Sequence, residues 1–384
     1  MTFEIKVNGQ NFELWETASL KRSIDTNTGV FRFTSSTEEM GSYPIQQEDS
    51  IQIILNGRCM LTGFVDAINV NGDSRNHIIT VQGRDNTADL IDSSVPDAAK
   101  QINTPISVAD FCTNVITSLG ANINVIDTVG DLITPFSDDV QISADSGKKC
   151  MEYLVDFARK RQVYLIPDGL GSLAVFRPNE AALSGTRLIH RRNDPQNNIK
   201  KYNFTSNNSQ RYNTYRITSQ DNFSFPSSDY TGDGDQNGVD RSGNATDEQI
   251  RASRYLEFQG EETMPTDETV DRAEEESNIR RARAFQYEAT VQGITQNNGD
   301  LWDIGIRVPI EDQINGVQGI YLIRQVEYTS DLDSGTETKL VFARPESYSV
   351  RGSITRQDRR IAPTENNYQP ETPQTMPTFT RGDS

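Results

Sequence analysis

The sequence predicts a mainly β protein of the α+β class, with two related β-barrels in one chain, an inserted α+β domain and smaller insertions. Three observations predict this architecture. The first ninety residues alternate apolar and polar residues between Asn-Gly turns. The middle of the chain spaces its apolar residues as helices do, and the last third repeats the strand order of the first.

Length and charge limit the possible functions. The chain has 384 residues, which is enough for two to three domains with their own cores. It carries 37 Lys and Arg against 55 Asp and Glu, a formal net charge of -18. This balance argues against a broad cationic surface that would hold nucleic acid by counterion release.

Few residues are available for disulfide, metal or triad chemistry. The three cysteines, Cys59, Cys112 and Cys150, include no CxxC pair and predict buried thiols in a reducing compartment. His77 and His190 are the whole histidine complement, which argues against His-rich zinc sites. Because no apolar stretch approaches eighteen residues, we expect no signal peptide and no membrane anchor.

Residues 1–90 are predicted to form the first barrel. Runs of strand character cover residues 3–7, 30–34, 50–55, 61–70 and 77–82. Asn-Gly pairs at 8–9, 56–57 and 71–72 lie between runs, where hairpin turns need residues that tolerate positive φ.

Residues 91–182 are predicted to form an α+β domain. Apolar residues at helical spacing follow Ser107, the expected N-cap, and stop before Gly120. A second helix begins near Cys150 and ends in the basic run 159–161, and strands are expected at 163–166 and 173–176.

The second barrel is assigned to residues 183–220 and 285–348. Strands are predicted at 212–218, 286–291, 305–309, 320–328 and 339–343. Residues 221–284 are an insertion, with a polar loop at 221–244 and a helix at 267–284 that is acidic first and basic last. Residues 349–384 lack periodicity and contain scattered prolines, so we expect a flexible tail.

The two barrels share an order of strand, Asn-Gly turn, long strand, acidic loop and short strand. Asp73 and Asp331 are 258 positions apart, and Arg84 and Arg344 are 260 apart, so the register is nearly constant. Duplication explains this constancy. Hairpins with Asn-Gly turns also resemble one another without common origin, and periodicity alone leaves both explanations open.

Two segments resemble the baseplate hub proteins of Mu-type contractile-tailed phages. The first is Gly83-Arg84-Asp85-Asn86-Thr87-Ala88-Asp89-Leu90-Ile91-Asp92-Ser93-Ser94, directly after the first barrel. The second runs from Arg283 to Gly293 and continues through Gly299-Asp300-Leu301-Trp302 and residues 320–345. The similarity covers about residues 1–348. Ile294 and Asp303 depart from it, since the family usually has an aromatic residue and an asparagine there.

The resemblance implies a structural hub of a phage tail baseplate, made in the host cytoplasm and carried in the virion. Its barrels would be tail-tube-like, and a homotrimer would present six of them around one axis. Such a ring adapts the sixfold tail tube to the threefold spike, contacts other baseplate proteins and forms part of the channel through which phage DNA passes. Asp and Glu are then expected to outnumber Lys and Arg on the channel wall. The alternative is that the acidic excess serves solubility.

One motif suggests a calcium loop. Asp233, Asp235 and Asn237 occupy alternate positions, with Gly238 in the place where the turn needs glycine. The twelfth position holds Asn244 instead of a bidentate glutamate, so a plain polar loop explains the segment better. The triplet Arg381-Gly382-Asp383 is assigned no role.

Two other classes of function remain open at this stage. A wall-degrading hydrolase would use a carboxylate pair, and an adhesin would bind calcium or carbohydrate. No acidic pair is framed by an apolar, aromatic pocket signature, and the basic segment around His190 indicates a surface or barrel-contact residue rather than a base. We therefore predict no enzyme activity, no catalytic, cofactor-binding or metal-binding residues and no cofactor.

Overall fold

A computed structural model describes most of the chain. The described residues are 2–37, 43–72, 77–103, 105–129, 142–160, 163–177, 183–219, 241–259, 266–331 and 335–348. The predicted tail at 349–384, the calcium motif at 233–238 and the triplet at 381–383 lie outside them. The protein is mainly β, as predicted, with helices confined to the middle of the chain and one insertion.

The first module contains seven strands. They are β1 (Phe3–Val7), β2 (Gln10–Phe12), β3 (Thr17–Ser23), β4 (Val30–Thr37), β5 (Ser50–Leu55), β6 (Arg58–Gly72) and β7 (His77–Asp85). Asn8-Gly9 and Asn56-Gly57 have positive φ at both residues, which is the conformation that the hairpin prediction requires. Asn71 and Gly72 were predicted as a turn, but they extend β6 and pair with β7.

The middle of the chain has its own hydrophobic core. This region contains α1 (Ala88–Asp92), β8 (Gln101–Ile102), α2 (Val108–Leu119), β9 (Val125–Asp127), β10 (Ile142–Ser143), α3 (Cys150–Lys160), β11 (Tyr164–Pro167) and β12 (Leu173–Phe176). Ser107 caps α2 by accepting a hydrogen bond from the Asp110 N–H, and Gly120 ends it in the left-handed conformation. Both features of this helix were predicted.

The last part of the chain completes the second module and carries an insertion. The remaining elements are β13 (Leu188–His190), β14 (Lys201–Ser206), β15 (Thr214–Ser219), β16 (Arg241–Thr246), β17 (Tyr255–Gln259), α4 (Thr266–Arg283), β18 (Phe285–Gln292), β19 (Arg307–Asp312), β20 (Val317–Asp331) and β21 (Gly335–Ala343). In the described chain, short 3-10 turns lie at Asp97–Ala99, Asn208–Gln210 and Pro345–Tyr348.

Two predictions for the insertion were wrong in detail. β15 was placed with the second barrel, but it forms a separate three-stranded sheet with β16 and β17. Residues 241–244 were predicted as loop, but they belong to β16 because backbone pairing with β15 outweighs their low strand propensity. Tyr215 and Ile217 of this small sheet are fully buried and pack in one cluster with Ala273 of α4.

The two modules share one 13-stranded sheet. Its main path is β14-β18-β21-β20-β3-β4-β7-β6-β5-β1-β2, and β19 and β13 branch from β20. The modules meet where β20 pairs antiparallel with β3, from Gln325 opposite Ser23 to Asp331 opposite Thr17. A single hydrophobic cluster draws its members from both modules.

The strand order is repeated between the modules. The path β3-β4-β7-β6-β5-β1 in the first corresponds to β14-β18-β21-β20-β19-β13 in the second. β5 and β19 have 6 residues each, β6 and β20 have 15, and β7 and β21 have 9. The long strands carry a bulge at Asp66 and Arg324, 258 positions apart. Equal lengths and an equivalent bulge favour duplication over chance similarity of hairpins.

The repeat differs from the sequence alignment in register. Pairing around the bulges places Gly83 opposite Val65 and Phe342 opposite Ile323, so β7 and β21 are offset by 259 positions. Arg84 therefore corresponds to Ala343, and Arg344 corresponds to Asp85. The parallel pairing of β13 with β19, where β1 and β5 are antiparallel, is another difference between the modules.

Candidate assembly site: open sheet edges and the end of the first module

The two long strands use their edges differently. The first part of β20 pairs with β19 and its last part, Gln325–Asp331, pairs on the same side with β3. The first part of β6 likewise pairs with β5. Its last part, residues 67–72, pairs with β7 on one side and with no described strand on the other. Within the described chain, β14 also has a free edge, because β18 is its one partner.

Side-chain exposure follows the same division. Val326 and Tyr328, on the paired half of β20, are both 0% exposed. Their counterparts 258 positions earlier are Ile68, which is half-buried, and Val70, which is 60% exposed. The side chains of β6 that match buried residues of β20 are thus open to solvent, because their edge has no neighbour among the described strands.

The free edge of β14 has the same character. Pairing with β18 places Phe204 and Tyr202 at the positions that Leu20 and Ala18 hold in β3. Leu20 is fully buried, whereas Phe204 is half-buried and Tyr202 is 43% exposed. Exposed apolar side chains beside an unpaired strand edge are a recognised liability unless another chain covers them.

The sequence motif at the end of the first module has a clear physical basis. A Cβ on Gly83 would lie 2.0 Å from the Phe64 carbonyl oxygen, so glycine allows β6 and β7 to approach. Arg84 donates to Asp66 at 2.7 Å and to Asp92 at 2.7 Å. The guanidinium therefore links the bulge of β6 to the C-terminal end of α1.

Asp85 is a buried carboxylate at the end of β7. Its carboxylate, 3% exposed, accepts hydrogen bonds from the backbone N–H groups of Gly29 and Thr87 and from the hydroxyl groups of Thr28 and Thr87. Burial raises the pKa of Asp85, while these hydrogen bonds act in the opposite direction. One side chain thereby accepts hydrogen bonds from backbone N–H groups in the turn before β4 and at the start of α1.

Replacing Asp85 by alanine is expected to destabilise the chain by about 3 kcal/mol, because two buried backbone N–H groups lose their acceptor. The free energy of unfolding from urea titration measures the change. Asp89→Ala is the matched control, since Asp89 is exposed and lies in α1, close to Asp85 in the chain. Equal stability of the two variants would contradict this role for Asp85.

A buried ion pair joins three parts of the chain. Arg22 of β3 is 4% exposed and donates to Asp303 at 2.6 Å and to the Pro167 carbonyl at 2.8 Å. Arg58 contacts the other Asp303 oxygen at 3.4 Å. Asp303, a departure from the family pattern, thus supplies the negative charge at the meeting point of both modules and the α+β region. Ile294, the other departure, is 1% exposed and packs in the shared core.

His190 lies beside a buried carboxylate. Its Nδ1 is 3.1 Å from Asp312, which also accepts a 2.7 Å hydrogen bond from the Tyr287 hydroxyl. Burial would raise the pKa of Asp312, but hydrogen bonds from Asn315, Tyr287 and His190 hold it below its usual value. This cluster connects β13, β18 and β19, and the sequence had no signal for it because its members are far apart in the chain.

The other candidate residues do not assemble a chemical site within the described chain. Cys59, Cys112 and Cys150 are free thiols, and burial raises the pKa of Cys112 to about 12. Asn244, the twelfth position of the calcium motif, is an exposed residue in β16. In the described ranges, His, Cys, Asp and Glu form no group that could hold a metal ion. No helix in those ranges is both long and apolar enough to cross a bilayer.

Comparison with known proteins places this architecture among phage tail proteins. Residues 2–85 match the family model of the Mu phage baseplate assembly protein GpP-like, N-terminal region, and residues 280–344 match a tail protein C-terminal domain. The chain is 22% identical to the baseplate hub protein gp44 of Escherichia phage Mu over 367 residues, 94% of this chain and 92% of that protein. The predicted similarity to Mu-type baseplate hub proteins is confirmed.

Solved structures agree with this similarity. The 43 kDa tail protein of prophage MuSo2 from Shewanella oneidensis has a TM-score of 0.77 and 25% identity, covering 90% of this chain and 98% of its own. A tail protein from Neisseria meningitidis shares the fold, with a TM-score of 0.74 at 16% identity and the same coverage. Homology therefore gives the chain a structural role in a phage baseplate and a place in the virion tail. The matching proteins are structural tail components rather than enzymes.

Proposed function

We propose that the chain is a homotrimeric hub ring that adapts a sixfold tail tube to a threefold spike and forms part of the channel for phage DNA. The observation that carries the proposal is the pair of open edges in a duplicated sheet. The junction of β20 with β3 inside the chain supplies a template, and its counterparts are the edges of β6 and β14, which have no partner among the described strands. In the ring, β6 of one chain pairs with β14 of the next.

The template gives the register of this pairing. Shifting β20 by 258 positions and applying the equivalence of β3 with β14 places Val70 opposite Phe204 of the next chain, as Tyr328 lies opposite Leu20. Asn69, the counterpart of Glu327, then lies opposite Thr205, the counterpart of Lys21, as Glu327 lies opposite Lys21. The apolar members of both edges become buried by the same contact, and no unpaired strand edge remains at the junction.

Symmetry follows from this pairing. Each chain contributes one internal junction and one junction to its neighbour, and the two are alike in strand order. Three chains closed by one heterologous contact produce six similar junctions around the axis. Such a ring presents approximate sixfold symmetry through its sheet and threefold symmetry through elements that occur once per chain, such as the region 88–177 and the insertion with α4. The proposal includes the predicted division into two barrels, residues 1–90 and residues 183–220 with 285–348. The one change is that β15 belongs to the insertion and not to the second barrel.

Disulfide cross-linking tests the register. The variant Asn69→Cys with Thr205→Cys, both exposed in the chain, is expected to form covalent dimers and trimers under mild oxidation and nothing larger. Non-reducing gel electrophoresis with light scattering of the same sample reads the result. The control Asn69→Cys with Lys201→Cys shifts one thiol by about 13 Å along β14 and should remain uncrosslinked. Monomers alone, or a ladder beyond three chains, would overturn the closed ring.

A further inference from the structure

The outward face of the 13-stranded sheet has an unusual charge distribution for so acidic a chain. Residues directly opposite on neighbouring strands share a face. One row crosses eight strands through Lys201, Thr290, Lys339, Glu327, Lys21, Val30, Arg84 and Phe64. We call the face that carries this row the sheet wall. It lies opposite the shared hydrophobic core, whose members Leu20, Phe31 and Tyr328 alternate with it along their strands.

The sheet wall carries no acidic excess among the described residues. Its rows contain the bases Lys21, Arg32, Arg84, Lys201 and Lys339 and the acids Glu288, Glu327, Asp331 and Glu337, with the bulge residues Asp66 and Arg324 adding one of each sign. The net charge of -18 therefore lies elsewhere on the chain. The expected excess of Asp and Glu over Lys and Arg is not found on this face.

Most cations of the sheet wall are neutralised by a carboxylate close by. Lys339 contacts Glu288 at 2.9 Å, and Lys201 contacts Glu337 at 3.6 Å, a carboxylate that also binds Lys200. Lys21 lies directly opposite Glu327. Arg84 is held between Asp66 and Asp92, and Arg324 contacts Asp25 at 2.8 Å. The remaining positions are mostly hydroxyl and amide side chains, among them Thr17, Ser19, Thr34, Asn69, Gln82, Thr290, Gln292 and Thr329.

The sheet wall faces the bore if the proposed ring forms. In each module, apolar side chains of β5 and β1, or of β19 and β13, belong to the hydrophobic core that covers one face of the sheet. The covered face needs the larger circumference of a ring, so it lies on the outside. The uncovered face, the sheet wall, is left for the inside.

We propose that the sheet wall lets duplex nucleic acid pass by local charge pairing, rather than repelling it through a net negative potential. This inference rests on the proposed ring. Free Lys and Arg side chains bind a phosphate backbone by neutralising phosphates, which releases the cations condensed on the nucleic acid into the solvent. A cation already paired with a carboxylate has little to gain from a phosphate, and hydroxyl and amide groups carry no net charge. At physiological salt the Debye length is about 8 Å, so pairing at contact distance neutralises the wall more completely than acids placed elsewhere.

Removing the paired carboxylates should convert the sheet wall into a binding surface. The test variant carries Glu288→Gln, Glu327→Gln and Glu337→Gln, which leaves Lys339, Lys21, Lys200 and Lys201 uncompensated. The control variant carries Glu13→Gln, Glu152→Gln and Glu248→Gln, three exposed positions off the wall, and has the same net charge. Binding of a short fluorescent DNA duplex is measured by anisotropy from low to physiological salt, with light scattering of each sample.

The test variant is expected to bind the duplex at least ten-fold more tightly than the wild type and the control, with an affinity that falls steeply as salt rises. Equal affinities of test and control variants would overturn the proposal, as would tight binding by the wild type. The light-scattering mass separates this outcome from failure of the ring, because a monomer exposes the same wall to the duplex. If the protein is monomeric and the test variant still binds the duplex more tightly than the control, the result would support charge pairing on the sheet wall. It would contradict the proposal that this wall lines a channel.

Discussion

Val70→Lys is expected to leave the chain folded and to abolish the ring. Val70 is 60% exposed in the single chain, so a lysine there can keep its ammonium in water. In the ring the same position would be covered as Tyr328 is, at 0% exposure. Burying an unpaired ammonium costs several kcal/mol, which corresponds to a loss of association of a thousand-fold or more.

Two measurements separate assembly from folding. Molar mass by light scattering should fall from three chains to one. The circular dichroism spectrum of the monomeric variant, and its midpoint of urea unfolding, should stay close to those of the wild-type chain. Leu170→Lys is the matched control, since Leu170 is 69% exposed and lies away from both open edges. A trimeric Val70→Lys protein would remove β6 from the interface.

Strands with alternating apolar residues were predictable, and those without them were not. Residues 50–55 were placed correctly because buried and half-buried residues alternate along β5. β3 was missed because Arg22 occupies an inward position that its pattern reserves for apolar side chains. β16 was missed because Ser, Gly and Asn suggest a loop. Its glycine is required, since a Cβ on Gly243 would lie 2.2 Å from the Val270 nitrogen of α4.

The candidate site was harder to predict than the fold. The repeated order of strand, Asn-Gly turn, long strand, acidic loop and short strand was visible in the sequence, and it led to the correct matching of β5, β6 and β7 with β19, β20 and β21. The open edges were not visible, because whether a strand has one neighbour or two depends on contacts between distant segments. Net charge had the same limit: composition fixes the total of -18, while the balance on the sheet wall depends on which side of each strand a residue occupies.

Asp303→Asn is expected to cost about 3 kcal/mol in the free energy of unfolding. The substitution removes the charge that Arg22 faces at 2.6 Å and leaves a guanidinium that is 4% exposed without its counter-ion. Breaking a buried pair by removing one partner is much more destabilising than losing an exposed pair. Arg58, at 60% side-chain exposure, loses little because it can turn to water.

A double-mutant cycle isolates the contribution of the pair. Arg22→Met is also expected to destabilise, while Arg22→Met with Asp303→Asn should cost less than the two single changes together, because neither charge is then left buried. Urea unfolding at one protein concentration gives the four free energies. Asp300→Asn, in the same loop but exposed, is the control and should change little. Additive single effects would mean that Asp303 does not act through Arg22.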